Sequence, residues 1–238
     1  MSPLSHFIER YSNVLVPPPS LGSGVVCEVC RRNTDGWSRC WQCNEHAKAA
    51  GVELADLVVP ISLAIKDKQL AHTLWQYKNS LIHNVRRTLT NELAYLLATF
   101  LSRHWNCLAP IDVVTAVPST RGRDTPVETL LERYVVTKRL FTRSLSTSGE
   151  NTRQFRPERY SVSGDVVGKN VLLVDDTWTT GASLQSAAVA LRRAGAARIV
   201  GLVIGRHFDA SHEGIGPYLQ LLGSRPFDWD ACVACQQC

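Results

Sequence analysis

The segment VLLVDDTWTTGAS, residues 171–183, places two adjacent carboxylates directly before a run of hydroxyl groups. Four apolar residues lead to Asp175 and Asp176, and the hydroxyls belong to Thr177, Thr179, Thr180 and Ser183 around Gly181. Successive backbone N–H groups at the start of a helix, with the positive end of the helix dipole behind them, form a nest for a phosphate. Carboxylates accept hydrogen bonds from sugar hydroxyls. The pattern therefore predicts a ribose 5-phosphate site, with the diol toward the acids and the phosphate in the loop.

Two other interpretations of this segment explain less of it. A nucleotide P-loop needs a glycine-rich pattern that contains a lysine, GxxxxGK[ST], and the segment has no such lysine. A plain strand, turn and helix with a capping residue would explain Asp176 or Thr179, but not both acids together with the hydroxyl run.

Parallel α/β architecture is the arrangement that would position these residues. Periodicity and turn residues predict strands at 111–117, 171–176 and 198–204, and helices at 70–77, 81–105 and 183–194. Strand, loop, helix and strand in succession form the βαβ unit of a parallel sheet, so residues 108–208 are predicted to be α/β, with the first two helices covering a sheet face. Ligands of such sheets bind at the carboxyl ends of the strands, where we expect Asp175 and Asp176 to end theirs.

Four cysteines near the N-terminus have the spacing of a metal site. Cys27, Cys30, Cys40 and Cys43 form two Cys-x-x-Cys pairs separated by nine residues. Four thiolates complete a tetrahedral zinc site that would hold together a segment too small for its own core. Reduced thiols and an iron–sulfur cluster are the alternatives. Full coordination leaves no open position, so we predict a structural zinc, with His46 at the surface rather than on the metal.

The C-terminal sequence CVACQQC leaves several interpretations open. Cys232, Cys235 and Cys238 either bind a second metal, dock against the N-terminal cysteines, or belong to a disordered tail. The fourth ligands considered are Asp228, Asp230 and His212. The solitary Cys107 follows a helical stretch and is predicted to be a core residue.

Composition sets broad limits. The 238-residue chain is 45% apolar and 20% charged, with a net charge of +5, values typical of a folded soluble protein. No stretch approaches the about 18 uninterrupted apolar residues of a membrane span, and the N-terminal sequence lacks the pattern of a signal peptide. We therefore expect no membrane span and a cytoplasmic location. Clustered cysteines in such a chain favour metal over disulfides.

At these motifs the chain resembles the ComF family, in which a zinc finger precedes a type I phosphoribosyltransferase domain. VLLVDDTWTTGAS matches the signature of such domains, with Thr177 and Trp178 at two positions that are mostly aliphatic; LAHTLWQYKNS and DVVTAVPSTRGR are similar to two further family segments. After Arg121 and Gly122 the chain departs, since Arg123, Asp124 and Thr125 replace an aromatic, Asn and Gln. The resemblance covers roughly residues 27–208.

The resemblance implies a ligand, a cofactor and residue roles. Phosphoribosyl pyrophosphate would bind with Mg²⁺, its ribose hydroxyls held by Asp175 and Asp176 and its pyrophosphate by a loop with Pro118, Ser119 and Arg121. The 5-phosphate would contact the segment Thr177, Trp178, Thr179, Thr180, Gly181, with Ser183 beyond it. The implied domains are an N-terminal tail (1–24), a zinc module (25–50), a phosphoribosyltransferase-like domain (51–210) and a cysteine-containing tail (211–238).

Two functions from different classes follow. The first is an enzyme that transfers phosphoribosyl to a nitrogenous base or amine and releases pyrophosphate. The second is a non-catalytic protein of DNA uptake, since the ComF family is associated with natural competence, in which the ribose phosphate site is regulatory. Single-stranded DNA would then contact Trp37, Trp41 and the arginines 31, 32, 39, 86, 87, 153, 156 and 159. The sequence leaves the acceptor and a homodimer open.

Overall fold

The computed structural model describes residues 11–21, 24–119, 125–134, 136–149, 154–211, 216–223 and 225–235. Helices and strands alternate along most of this length. The helices are α1 (Trp41–Ala50), α2 (Gln69–Asn79), α3 (His83–Leu108), α4 (Pro126–Arg133), α5 (Ala182–Arg193) and α6 (Gly216–Leu222), with a 3₁₀ turn at Pro157–Arg159. The strands are β1 (Leu57–Ile65), β2 (Val113–Ala116), β3 (Leu145–Thr147), β4 (Tyr160–Val162), β5 (Asn170–Trp178) and β6 (Arg198–Phe208).

Four parallel strands form the central sheet, in the order β1-β6-β5-β2. Their near-continuous apolar sequences are typical of strands covered on both faces. The short strands β3 and β4 form a separate antiparallel pair. The predicted α/β class with a parallel sheet flanked by helices is therefore confirmed.

Helices cover both faces of the sheet. On one face, the α2 and α3 side chains of Leu74, Leu96 and Phe100 share a buried cluster with Leu172 and Leu202 of the strands. On the other face, the α5 side chains pack with alternate strand residues and with the four N-terminal cysteines. The cysteine segment is therefore packed against the sheet through α5 and its neighbours.

Strand β1 is not among the strands that the sequence predicted. Pro60 interrupts its apolar run, and proline cannot donate a ladder hydrogen bond. The strand lies at the edge of the four-stranded sheet, with β6 as its neighbour, so the missing donor of Pro60 is tolerated. Near its end, the backbone N–H of Leu63 donates instead to the carbonyl of Val16, 2.8 Å away.

The prediction that β5 ends at the two acids is wrong. The strand continues to Trp178, because Thr177 and Trp178 pair with Gly205 and Arg206 of the long strand β6. The turn into α5 is consequently shorter than expected and consists of residues 179–181. Within the described ranges, no helix has both the length and the apolar character needed to cross a membrane.

Candidate active site

A cavity of about 910 Å³ opens at the carboxyl ends of the strands. Seven of the site residues predicted from the sequence line it: Pro118, Ser119, Asp175, Asp176, Thr177, Thr179 and Ser183. Two loops therefore meet at this edge, one after β2 and one after β5. Arg121, predicted to face the leaving group, lies outside the described residues.

The two carboxylates differ in their surroundings. The backbone N–H of Asp176 donates to Oδ1 of Asp175 at 2.8 Å, which fixes the first carboxylate beside the chain. Burial raises the pKa of Asp175 to about 6, against the attraction of Lys78 and Arg159. Burial likewise raises the pKa of Asp176 to about 7, against hydrogen bonds from Thr177. Asp176 is buried and Asp175 is half-buried, and two acids with raised pKa values in one cavity are typical of a functional site.

Lys78, near the end of α2, joins the acid pair from across the cavity. Its ammonium lies 2.7 Å from Oδ1 of Asp176, which favours the ionised carboxylate. Two more cationic side chains on α3, Arg86 and Arg87, line the same cavity, as do His83 and His207. The cavity thus pairs a carboxylate wall with basic groups, an arrangement suited to a ligand that carries both hydroxyls and phosphates.

The turn between β5 and α5 depends on a glycine and on a buried tryptophan. Gly181 has φ +83°, a left-handed conformation that favours glycine. A Cβ at this position would lie 2.2 Å from a ring carbon of Trp178. The ring is buried, so Trp178 supports the turn from beneath. Trp178, Thr180 and Gly181 are not among the residues lining the cavity, and the Thr180 hydroxyl instead accepts from the N–H of Ala182 at 3.3 Å.

Ser183, in the first turn of α5, is held by a buried arginine. The guanidinium of Arg159 donates to the Ser183 hydroxyl at 2.9 Å and to the Tyr160 hydroxyl at 2.8 Å. Tyr160 also lines the cavity, and burial raises the pKa of its phenol. Because Arg159 is buried, its guanidinium contacts groups inside this site and does not lie on the protein surface.

The four N-terminal cysteines come together as predicted. All four are buried, and their sulfur atoms lie within 4.8 Å of one another. Sγ of Cys30 and Sγ of Cys40 are 3.7 Å apart, close to the about 3.8 Å expected between sulfurs of a tetrahedron with Zn–S bonds of about 2.3 Å. The cluster can therefore hold a structural metal such as zinc.

The prediction that His46 lies at the surface is wrong. It is buried in α1, and its ring stacks on Phe155 with centroids 5.0 Å apart. Nε2 of His46 is 3.2 Å from the side-chain amide nitrogen of Gln42. The histidine is absent from the groups of possible metal ligands within the described residues.

Arg206 of β6 connects the cysteine cluster to the hydroxyl loop. Its buried guanidinium donates to the carbonyl of Cys30 at 3.2 Å and to the carbonyl of Thr179 at 3.0 Å. A further nitrogen lies 3.7 Å from Sγ of Cys30. A single side chain therefore positions the loop relative to the four cysteines.

Of the C-terminal cysteines, the two that the structure describes do not dock against the N-terminal cluster. Cys232 and Cys235 lie beside His104 and Cys107 of α3. Cys107, predicted to be a core residue, is partly buried and packs against the main hydrophobic cluster. His212 and Cys238 lie outside the described residues.

Several functional contacts were not predicted because they join distant parts of the chain. Lys78 and Asp176 are separated by 98 positions, and Arg206 and Cys30 by 176. Lys78 occurs in a segment that resembles a family motif, which is the one signal that pointed to it. The sequence offered no comparable signal for Arg159 or Arg206.

Comparisons with known proteins agree with this geometry. The model of the phosphoribosyl transferase domain matches residues 93–207, just under half of the chain. The matched range contains α3 from Leu93 onward, the acid pair, the hydroxyl loop and most of β6. A search of curated proteins finds no match. Residues 93–207 of this chain therefore constitute a phosphoribosyl transferase domain.

Proposed function

We propose that the cavity binds phosphoribosyl pyrophosphate together with Mg²⁺, and that the protein transfers the phosphoribosyl group to a nitrogen acceptor. The observation that carries the proposal is that Asp175, Asp176 and the hydroxyls of Thr177, Thr179 and Ser183 line one cavity. A ribose 5-phosphate carries its hydroxyls and its phosphate on one small sugar. Its site would therefore need the carboxylates and the hydroxyl groups of the protein close to each other.

The ligand would span the carboxyl ends of two strands. The ribose hydroxyls would donate to Asp175 and Asp176, and the 5-phosphate would accept from the turn that opens α5. The pyrophosphate would lie toward Pro118 and Ser119, with Arg121 as the predicted cation. Oxygen donors of this kind suit a small hard cation, and bound Mg²⁺ would neutralise charge on the pyrophosphate.

The chemistry requires no protein nucleophile. The bond between ribose C1 and the pyrophosphate oxygen breaks, the acceptor nitrogen forms the new bond to C1, and the proton of that nitrogen passes to the departing pyrophosphate or to water. Positive charge develops on the sugar ring as pyrophosphate departs. Ionised Asp175 and Asp176 would stabilise that charge, so both binding and turnover are expected to require a pH above the raised pKa values of these acids.

Titration calorimetry with phosphoribosyl pyrophosphate, with and without Mg²⁺, tests the binding step. Asp175→Ala combined with Asp176→Ala should abolish binding while the fold and the metal content stay unchanged. Asp112→Ala is the matched control, since this acid bonds Asn170 at the other end of β5. Wild-type affinity in the double variant would refute the assignment. Pyrophosphate release measured with purine and pyrimidine bases then identifies the acceptor.

We assign zinc to the cluster of four cysteines, which gives the chain the order of parts found in the ComF family. The support is the buried set of four sulfur donors, which leaves no open position on the metal. Zinc would stabilise the fold of residues 27–43 and would take no part in the reaction.

Binding of single-stranded DNA is the second candidate function. Trp37 and Trp41, which flank the third cysteine of the cluster, are each 73% exposed, and exposed rings can stack on bases. Arg31 and Arg159 are buried, so the surface expected to hold DNA loses two of its predicted cations. Fluorescence titration with oligothymidylate at low and high salt tests this function. Salt-dependent binding that Trp37→Ala with Trp41→Ala removes would favour it, and absence of binding would reject it.

A further inference from the structure

Four side chains from two distant segments converge at the far end of α3. His104 and Cys107 lie near the end of this helix, and Cys232 and Cys235 lie in the C-terminal segment. We propose that these four residues bind a second zinc ion, which fastens the C-terminal segment to α3. The site is separate from the four-cysteine cluster and from the cavity.

The four donor atoms lie close enough together to share one metal ion, although the sulfurs of Cys232 and Cys235 are nearer to each other than the about 3.8 Å of a tetrahedral zinc site. Nδ1 of His104 lies 3.3 Å from Sγ of Cys235 and 3.7 Å from Sγ of Cys107. Sγ of Cys232 and Sγ of Cys235 are 3.1 Å apart, and all four donor atoms lie within 4.8 Å of one another. Three thiolates and one imidazole form a common tetrahedral zinc set.

The histidine is oriented as a metal ligand. Its Nε2 lies 2.9 Å from the carbonyl oxygen of Trp229, so this nitrogen carries the proton and donates it. The lone pair of Nδ1 therefore faces the three sulfur atoms. Metal-binding histidines commonly use one ring nitrogen for the metal and donate from the other to a carbonyl. A tilted contact with the ring of Phe100, with centroids 4.6 Å apart and an interplanar angle of 41°, further restricts the imidazole.

A disulfide explains the cluster less well. The separation of 3.1 Å between Cys232 and Cys235 exceeds the about 2.05 Å of a covalent S–S bond. The backbone N–H of Cys235 donates to Sγ of Cys232, 3.3 Å away. A disulfide between these two would also leave His104 and Cys107 without a shared partner.

The surrounding contacts show what the ion would hold in place. Trp229 donates from its indole to Ser12, 2.9 Å away, and Arg103 pairs with Asp230. Phe227, Trp229 and Val233 belong to the same buried cluster as α3. A metal crosslink between positions more than 100 residues apart reduces the entropy of the unfolded chain and couples binding to folding. Four protein ligands leave no open position, so the role is structural.

The proposed second zinc ion lies far from the cavity in which the reaction is proposed to occur. Thr90 is the last residue of α3 that lines the cavity, and His104 follows 14 positions later, which corresponds to about 20 Å along a helix. Loss of the second zinc should therefore lower stability before it alters ligand contacts.

Metal analysis of the full chain, purified under reducing conditions, tests the proposal. We expect two zinc ions per chain in the wild type. Cys107→Ser with Cys235→Ser should leave one, and Cys27→Ser with Cys30→Ser should also leave one. The second variant, loaded with cobalt, should show the absorption of a centre with three sulfurs and one nitrogen.

Thiol alkylation followed by mass spectrometry provides a measurement on the unmodified fold. Cys107, Cys232 and Cys235 should resist alkylation until a chelator removes the metal, and then react together. A single zinc ion in the wild type, retained when Cys107 and Cys235 are replaced, would overturn the proposal. A mass two hydrogens lower on the peptide containing Cys232 and Cys235 would overturn it in favour of a disulfide.

Discussion

Replacing Asp175 by asparagine is expected to make the protein more stable while it removes ligand binding. The asparagine side chain keeps an oxygen that can accept the N–H of Asp176, the bond that measures 2.8 Å in the wild type. The substitution therefore removes the negative charge and little else. Replacing a residue that serves function at a cost in stability makes a protein more stable. Replacing a residue that serves the fold would make the protein less stable.

The size of the gain follows from the pKa. Burial raises the pKa of Asp175 from 3.8 to about 6, a difference worth about 3 kcal/mol between the two protonation states. Because the folded protein binds this proton more tightly than the unfolded chain, the wild type loses stability as the pH rises from about 4 through about 6. An asparagine side chain does not titrate, so the advantage of Asp175→Asn should grow from near zero at about pH 4 to about 3 kcal/mol above about pH 7.

Urea unfolding, followed by tryptophan fluorescence from about pH 4 to about pH 8, measures the difference. Asp112→Asn is the control of opposite sign, because hydrogen bonds from Asn170 lower the pKa of Asp112. Ionised Asp112 stabilises the folded protein at pH values above the ordinary pKa of an aspartate. Asp112→Asn should therefore be less stable than wild type across the measured pH range, and this loss of stability should not grow toward high pH. A destabilised Asp175→Asn at pH 8, or a difference independent of pH, would refute the reasoning.

Two further predictions concern the hydroxyl loop. Gly181→Ala should weaken phosphoribosyl pyrophosphate binding at least tenfold and lower the melting temperature, because the new methyl group would meet the Trp178 ring at 2.2 Å. Gly164→Ala is the matched control, with φ +85° but no atom within 4 Å of the new Cβ; equal effects in calorimetry and melting would contradict the clash. Arg206→Lys should weaken ligand binding and leave the metal content unchanged, because a lysine cannot donate to the carbonyls of Cys30 and Thr179 at the same time. Arg198→Lys, at the other end of β6, should bind ligand normally, and equal loss in both variants would exclude a specific role for Arg206.

Local patterns were sufficient to predict one wall of the cavity. Asp175, Asp176 and the hydroxyls that follow occur in one short segment, so the residues of this wall could be identified together, although the strand runs two residues further than predicted. The basic wall comes from α2 and α3, and Lys78 reaches Asp176 only through the packing of α2 against the sheet. Such a contact depends on the order of strands, which no short window of sequence contains.

The second cysteine cluster shows the same limit. His-x-x-Cys at 104–107 and Cys-x-x-Cys at 232–235 are complementary half-sites, each able to supply two ligands. The fold brings them together across 131 positions between His104 and Cys235. Asp228, Asp230 and His212 were considered as ligands because they are close in sequence, whereas His104 and Cys107 are close to Cys232 and Cys235 only in space. Strand β1 was not predicted for a related reason. Its Pro60 is tolerated because the strand lies at the edge of the sheet, and that position depends on the whole fold.

Charge balance around the N-terminal cluster supports its occupation by a divalent ion. Two guanidinium groups, those of Arg31 and Arg206, are buried beside it. Nε and Nη1 of Arg31 have no hydrogen-bond partner among the described residues, and a buried cation needs a counter-charge. Four neutral thiols would provide none. Four thiolates around one Zn²⁺ carry a net charge of two minus, which the two guanidiniums would neutralise. The metal would thus stabilise Arg206, and through its bond to the Thr179 carbonyl the loop that faces the cavity.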